Sequence, residues 1–272
     1  LGFSFSWVLG FQNTSNYDIL SEVATIMNSS IKSNNLYTIF VCLFATLLVL
    51  TNIIAIKICQ APFYDSISDV LFFLPVDDNG FALPAGILTY PLTFLVSDIV
   101  SEIWGEKKAN FMVFAGFLMS IIMLMIIQIS ISLPPHLYWA IENNSFGYVG
   151  VDEFSNAYNS VFSLNGKLLF GSMLAYMVAQ FVDIRIYHYL KEKTKERHLW
   201  LRNNGSTIIS QLIDTMIVNS ILFYWGFGWD FWLGAQVMLV VYVYKLIIAL
   251  LDTPLIYLGV AGVNRYLKKG VA

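Results

Sequence analysis

Apolar residues recur along the chain in six long runs, each bounded by a short polar stretch. The runs cover roughly residues 36–60, 83–104, 110–133, 164–187, 206–227 and 231–258, and each reaches the ~20 mainly apolar residues that a helix needs to cross a bilayer. The pattern predicts an all-α membrane protein, a bundle of six transmembrane helices. The second and fourth runs are the least purely apolar. Residues 1–35 mix polar and apolar positions (Asn13, Asn16, Asp18, Glu22, Asn28, Lys32) and read as a tail with one short interfacial helix. Residues 36–260 then form the transmembrane domain, and residues 261–272 a basic cytoplasmic tail.

Composition supports the same class. Charged residues make up 12% of the 272 and hydrophobic ones 57%, whereas a soluble domain carries about 25% charge. A soluble chain of this length cannot hide so much apolar surface, so an ordinary cytosolic enzyme, a disordered chain and a nucleic-acid binder are all excluded. The two cysteines, Cys42 and Cys59, lie in one apolar run; neither a disulfide framework nor a zinc site is expected, and the pair reads as small buried hydrophobes. No basic stretch precedes the opening LGFSFSWVLGF, so no signal peptide is expected.

The net charge of −3 says less than where the charges sit. Between the runs, one set of segments holds only acids: Asp65, Asp69, Asp77 and Asp78, then Glu142, Asp152 and Glu153, then Asp230. The other set holds Lys32, Lys107, Lys108, Arg185, Lys191, Lys193, Lys195, Arg197, Arg202, Arg265, Lys268 and Lys269. Basic loops stay on the cytoplasmic side. This strict alternation fits an even number of spans and predicts that both termini are cytoplasmic. Tyr138, Trp139, Trp225, Trp229 and Trp232 then fall at the outer interface, and Trp104 and Trp200 at the inner one, as an aromatic belt would.

A few charges remain in or near the spans. Lys57 and Lys167 sit near outer ends, where a lysine can snorkel, while Lys245 is mid-span. The acids are Asp98, Glu102, Asp183, Asp214 and Asp252, with Glu102 and Asp252 close to cytoplasmic ends. Each ionised group at the bilayer centre costs about 2.5–3.5 kcal/mol on insertion scales, so these groups should face a polar interior, pair, or be neutral. Helical spacing collects them into stripes. Tyr90, Phe94, Asp98 and Glu102 repeat every four residues, beside Thr93, Ser97 and Ser101. Ser172, Tyr176, Gln180, Asp183 and Tyr187 form a second stripe, and Asn203, Thr207, Gln211 and Asp214 a third; Lys245 and Asp252 lie two turns apart. Gln-x-x-Asp occurs in both 179–188 and 210–219, on helices of opposite direction, the pattern a weak inverted repeat would leave.

The chemistry of these stripes is selective. A carboxylate accepts two parallel N–H bonds, and a glutamine amide both donates and accepts, so together they can hold the edge of a planar, amide-rich heterocycle between Tyr and Phe rings. The same residues could instead act as interhelical hydrogen bonds that hold the bundle together. Enzyme signatures are missing: the chain has three histidines, no H-E-x-x-H, no G-x-S-x-G and no P-loop.

Three strings carry a resemblance. YPLTFLVSDIVSEIWGEKKA (90–109), AQFVDIRIYH (179–188) and HLWLRNNGSTIISQLIDT (198–215) resemble the queuosine precursor transporter family, also described as vitamin-uptake transporters. The resemblance runs from about residue 36 to the C-terminus and is most specific at Trp200, Arg202, Asn203, Asn204, Ser206, Thr207, Gln211 and Asp214. It implies a multi-pass importer of the bacterial inner membrane, working by gradient-driven alternating access. The substrate it implies is a small 7-deazaguanine, such as preQ0, preQ1 or the base queuine, salvaged for tRNA modification. By position, Asp98, Glu102, Gln180, Asp183, Asn203, Gln211 and Asp214 become the candidate substrate-binding residues, and Arg202, Asn204 and Lys245 gating or structural polar groups. No catalytic residue, metal or cofactor is implied; the partners are the substrate and the lipid bilayer, with no nucleic acid, and a homo-oligomer stays open. Two other readings compete. The chain could be the binding subunit of an energy-coupling importer with separate ATPases, although the first span lacks an Ala-rich docking face. It could also be an aspartate-based intramembrane enzyme using Asp183 and Asp214.

Overall fold

The computed structural model describes residues 6–55, 57–60, 82–139, 150–162, 166–226 and 228–268. Helix α1 runs without a break from Ser6 to Ile54, so the first span is the later part of a longer helix. Strand β1, Ile58–Gln60, pairs antiparallel with β2, Ala82–Pro84, and Ile58 faces Pro84. A 3₁₀ turn, Ala85–Leu88, leads into α2, Tyr90–Trp104. Helix α3 is Glu106–Ser132, α4 is Val151–Phe162 and α5 is Gly166–Lys193. Helix α6, Leu199–Asn219, widens into a π turn over Ser220–Gly226, and α7 covers Phe231–Lys268. The described residues are therefore helical apart from the small ribbon and the connections. The acidic residues Asp65, Asp69, Asp77, Asp78 and Glu142, and Lys269, lie outside the described residues, as does the side chain of Lys167.

Five helices among the described residues are long and apolar enough to cross a membrane: Met27–Ile54, Ala85–Trp104, Glu106–Ser132, Leu199–Trp225 and Phe231–Lys268. Helix α5 is long enough at 28 residues, about 42 Å at 1.5 Å per residue. On its inner face Tyr176, Gln180, Asp183 and Tyr187 are all buried. Its outer face carries exposed Phe170, Leu174 and Val178 at four-residue spacing.

The second run is not one helix. Its α-helical part has 15 residues, about 22 Å, less than the ~30 Å hydrocarbon core; the ribbon and 3₁₀ turn supply the remainder. Pro91 opens α2 in its first turn, where a missing N–H costs nothing. Gly105 (φ +84°, ψ 174°) joins α2 to α3 alone, a conformation that side-chain-bearing residues rarely adopt.

The bundle is apolar outside and polar inside. Phe111, Phe114, Ile122, Met125, Ile126 and Ile129 of α3 are exposed, while Thr93, Ser97, Asp98, Ser101, Gln180, Asp183, Ser206, Ser210, Gln211 and Asp214 are buried. Water would favour the reverse; a lipid surround favours this one. The apolar core joins Phe44 and Leu48 of α1, Phe94, Val96 and Val100 of α2, Met112 and Val113 of α3, and Ile184 of α5. Gly116 brings α3 close to α1: a Cβ there would lie 2.7 Å from Phe44 Cε1.

One end of the bundle gathers several of the basic segments. Lys32 Nζ donates to the Tyr266 carbonyl (2.6 Å), Trp104 Nε1 to Ser33 Oγ (2.9 Å), and Lys108 Nζ to Asn34 Oδ1 (3.3 Å). Trp104 is thus packed against α1, beside Tyr37 and Phe40. Trp225 and Trp232, by contrast, are exposed. Helix α4 lies in the acidic segment between the third and fourth apolar runs. Its Phe154, Tyr158 and Phe162 gather on one face, with Trp139 packed on the first two and Tyr158 bonded to Ser130 of α3.

Candidate functional site

Helices α2 and α5 run in the same direction and α6 runs against them. Because α2 and α5 both carry polar groups about once per turn, their stripes meet rung by rung. In the first rung, Tyr90 donates to Asp214 Oδ2 (2.5 Å), which also receives Lys245 Nζ at 2.7 Å. That ammonium lies 4.4 Å from the centre of the Tyr90 ring. Three helices, α2, α6 and α7, are tied together here, and the mid-span lysine finds its counter-ion.

The second rung is aromatic and neutral. Tyr176 donates to Thr93 Oγ1 (2.6 Å), and Gln180 Nε2 donates to the Tyr176 hydroxyl (2.6 Å). The rings of Tyr90, Phe94 and Tyr176 stand 5.2–5.9 Å apart, two of the three pairs edge-on, a favoured aromatic geometry.

The third rung holds two carboxyl groups. Asp98 of α2 and Asp183 of α5 face one another in the register set by the Tyr176–Thr93 and Tyr187–Glu102 bonds on either side. Ser210 of α6 donates to Asp183 Oδ1 at 2.8 Å. Both acids are buried.

In the fourth rung, Glu102 is surrounded by donors. Arg202 Nη2 reaches its Oε1 at 2.7 Å, the Tyr187 hydroxyl donates to Oε2 at 2.8 Å, and Lys191 Nζ lies 3.1 Å from Oε2. Arg202 also donates to the carbonyls of Glu196 (2.9 Å) and Arg197 (3.4 Å). These bonds hold the turn between α5 and α6, where Lys195, Glu196 and His198 all have positive φ.

The structure therefore brings Asp98, Gln180, Asp183, Gln211 and Asp214 into one buried seam, joined at its first rung by Lys245. Glu102 sits apart from that seam in a saturated ion-pair cluster with Arg202. Asn204 is also spoken for: its Nδ2 donates to the Trp200 carbonyl and to Thr253 Oγ1, both at 2.9 Å, stitching α6 to α7. Asn203 is buried one turn below Thr207, and its carbonyl accepts the hydroxyls of Ser206 and Thr207.

Several seam oxygens have no donor among the described residues: Asp98 Oδ1, Gln180 Oε1, Asp183 Oδ2, Gln211 Oε1 and Asp214 Oδ1. Buried acceptors are normally satisfied, so five in one seam form a concentrated demand for N–H or O–H groups. A cavity of about 20 Å³ opens among Tyr90, Phe94, Thr207, Gln211, Lys245 and Asp252, room for about one water.

Tyr90, Tyr176 and Asp252 belong to this site as much as the carboxylates do. The first two were legible as aromatic members of the stripes. Asp252 lies near a helix end in the sequence, and only the packing of α7 brings it to the cavity.

Comparison with known proteins places these features in a lineage. A family model described as "Putative vitamin uptake transporter" matches residues 84–259. A Bacillus subtilis protein described as "Probable queuosine precursor transporter" is 26% identical over 179 residues, 65% of this chain and 72% of its own length. A Haemophilus influenzae protein of the same description is 25% identical over 178 residues, 64% of this chain and 67% of its own. No solved structure matches. The matched stretch contains every rung of the seam.

Proposed function

The chain belongs to the vitamin-uptake transporter family, a family of multi-pass membrane transporters and not of enzymes, and from that premise we propose that it imports queuosine precursors. The substrate class is the 7-deazaguanines, among them preQ0, preQ1 and queuine, carried inward across a bacterial inner membrane for tRNA modification. The relatives' descriptions support this class.

The observation that carries the reading is the surplus of buried acceptors. A deazaguanine presents N1–H and an exocyclic amine along one edge. Asp214 Oδ1, Gln211 Oε1 and Gln180 Oε1 have no donor among the described residues, and their side chains lie beside the Tyr90, Phe94 and Tyr176 rings. Such a site would discriminate strongly, because an analogue without those N–H groups leaves the acceptors unpaired. Substrate carbonyl O6 needs a donor, and Lys245 supplies one by turning from Asp214. The aminomethyl cation of preQ1 would add a further partner for a carboxylate.

A bicyclic base is far larger than the present cavity, so binding requires the helices to part. We assign transport to alternating access, with the Glu102–Arg202 cluster closing the cytoplasmic end and the Asp214–Lys245 pair closing the outer one. In this reading α5 is the sixth span, its apolar stripe of Phe170, Leu174 and Val178 facing lipid, and both termini are cytoplasmic, as the one-sided basic segments favour.

The test is uptake of labelled preQ1 and queuine by a bacterial host that lacks its own importer and its own synthesis route. Queuosine should reappear in tRNA when this chain is expressed and should fail to do so with Asp214→Asn at equal membrane level. A well-expressed chain that restores nothing would sink the assignment.

A further inference from the structure

The Asp98–Asp183 rung is chemically unlike the other three. The first and fourth rungs match each acid with a cation, and the second carries no charge. In the third, two buried carboxyl groups abut, and the charges that act most strongly on Asp98 are acids: Asp183 from α5, Asp252 from α7 and Glu102 from its own helix. The nearby cations are committed elsewhere, Arg202 and Lys191 to Glu102 and Lys245 to Asp214. Tyr187, on the other side, points its hydroxyl at Glu102. Besides Asp98, Asp183 has the hydroxyl groups of Ser210 and Ser206 beside it.

Two carboxylates in contact in a dry interior cannot both be ionised. Asp98 Oδ1 and Asp183 Oδ2 have no partner among the described residues, and a single proton shared by the two acids makes one of them a donor and the other its acceptor. The neighbours decide where it resides. Asp183 already accepts a hydroxyl at 2.8 Å, which suits the anion, whereas no donor reaches Asp98 Oδ1 among the described residues, which suits the acid.

We propose that Asp98 and Asp183 together bind one transported proton, and that its inward movement drives uptake; this rests on the transport reading above. The proton is loaded from the outer side, held as an O–H···O bond from Asp98 to Asp183 while the seam is closed, and released to water when the fourth rung opens. No bond other than O–H is made or broken. Departure of the proton leaves two adjacent carboxylates, whose repulsion favours the helices staying apart until the pair is reloaded. The remaining seam groups, Gln180, Gln211 and Asp214, are left to the substrate, so the two cargoes occupy neighbouring turns of the same helices.

Two measurements on the purified, full-length chain test this. The first needs no substrate. Infrared spectra at neutral pH should contain the carbonyl stretch of a protonated buried carboxyl, and Asp98→Asn should lose it. A wild-type spectrum without that band overturns the proposal. The second uses proteoliposomes and labelled preQ1. An inward proton gradient should drive accumulation, a sodium gradient should not, and Asp98→Asn, whose amide stands in for the protonated acid, should lose accumulation by a larger factor than it loses exchange. Exchange without proton-driven accumulation, or accumulation driven by sodium, overturns the proton site and leaves the transport reading standing. Absence of both accumulation and exchange in the wild type removes the transport reading and the coupling role with it. An Asp98→Asn protein that accumulates preQ1 as the wild type does also refutes the assignment.

Discussion

The ion pair between Glu102 and Arg202 offers a quantitative test that is independent of substrate. The Arg202 side chain is 3% exposed and Glu102 17%, so water cannot take the place of Glu102 beside Arg202 and reaches Glu102 only in part. Arg202→Met keeps most of the aliphatic stem and removes the guanidinium. It deletes one charge-assisted bond to Glu102, worth about 1.5–3 kcal/mol, and three bonds, to the Tyr187 hydroxyl and to the carbonyls of Glu196 and Arg197, worth about 1 kcal/mol each at most. Lys191 still lies 3.1 Å from Glu102 and softens the loss, so about 3 kcal/mol is expected. Glu102→Gln acts differently. It leaves Arg202 and Lys191 sharing a site with no anion, and an uncompensated buried charge costs about 3–5 kcal/mol. The double variant removes both the buried cation and its anion and should be better than the sum of the two, with a coupling of about 2 kcal/mol. The assay is a double-mutant cycle read by denaturant titration in mixed micelles, followed by tryptophan fluorescence. A coupling below about 0.5 kcal/mol is what an exposed pair gives and would refute the claim that this pair closes the end of the bundle.

Three further outcomes follow from the same geometry. Lys245→Met should destabilise the protein by about 3–5 kcal/mol by stranding buried Asp214, and adding Asp214→Asn should recover most of that stability while uptake stays absent; a double variant with full uptake would contradict the site. Tyr176→Phe removes the hydroxyl that accepts from Gln180 and donates to Thr93, so a loss of about 1–3 kcal/mol and weaker uptake are expected, checked by thermal unfolding and labelled preQ1. Gly105→Ala meets no atom within 4 Å yet must hold φ near +84°, so its cost of about 1–3 kcal/mol is purely conformational; an unchanged melting temperature would show that the α2–α3 junction has another geometry.

How much of this was legible in the sequence depends on the range of the interaction concerned. Helix positions and polar stripes follow from local spacing, and Tyr90, Phe94, Asp98 and Glu102 could be placed on one face of one helix without any knowledge of the neighbours. The ribbon before α2 could not, because Ile58–Gln60 and Ala82–Pro84 are apolar enough to extend the adjoining spans and pair only through a contact across more than twenty residues. Helix α4 was hidden for the opposite reason: it is only 12 residues long, and its apolar residues are interrupted by Asp152, Glu153, Asn156 and Asn159.

The site shows the same division more sharply. Glu102 and Asp98 are one turn apart on α2 and look equivalent in sequence, both as acids in a polar stripe. Their difference lies in what α5, α6 and the turn after α5 bring to them. Glu102 meets Arg202, Lys191 and Tyr187, from residues up to 100 positions away; Asp98 meets another acid. A ladder with one-turn spacing on two parallel helices makes such divergence easy. Each rung sees a different pair of facing residues, and antiparallel α6 presents Asp214, Gln211, Ser210 and Arg202 in turn from one end to the other. Four rungs built from the same few residue types can therefore differ in charge balance, and that balance, rather than residue identity, separates a latch from a site that must take up a proton or a substrate to be satisfied.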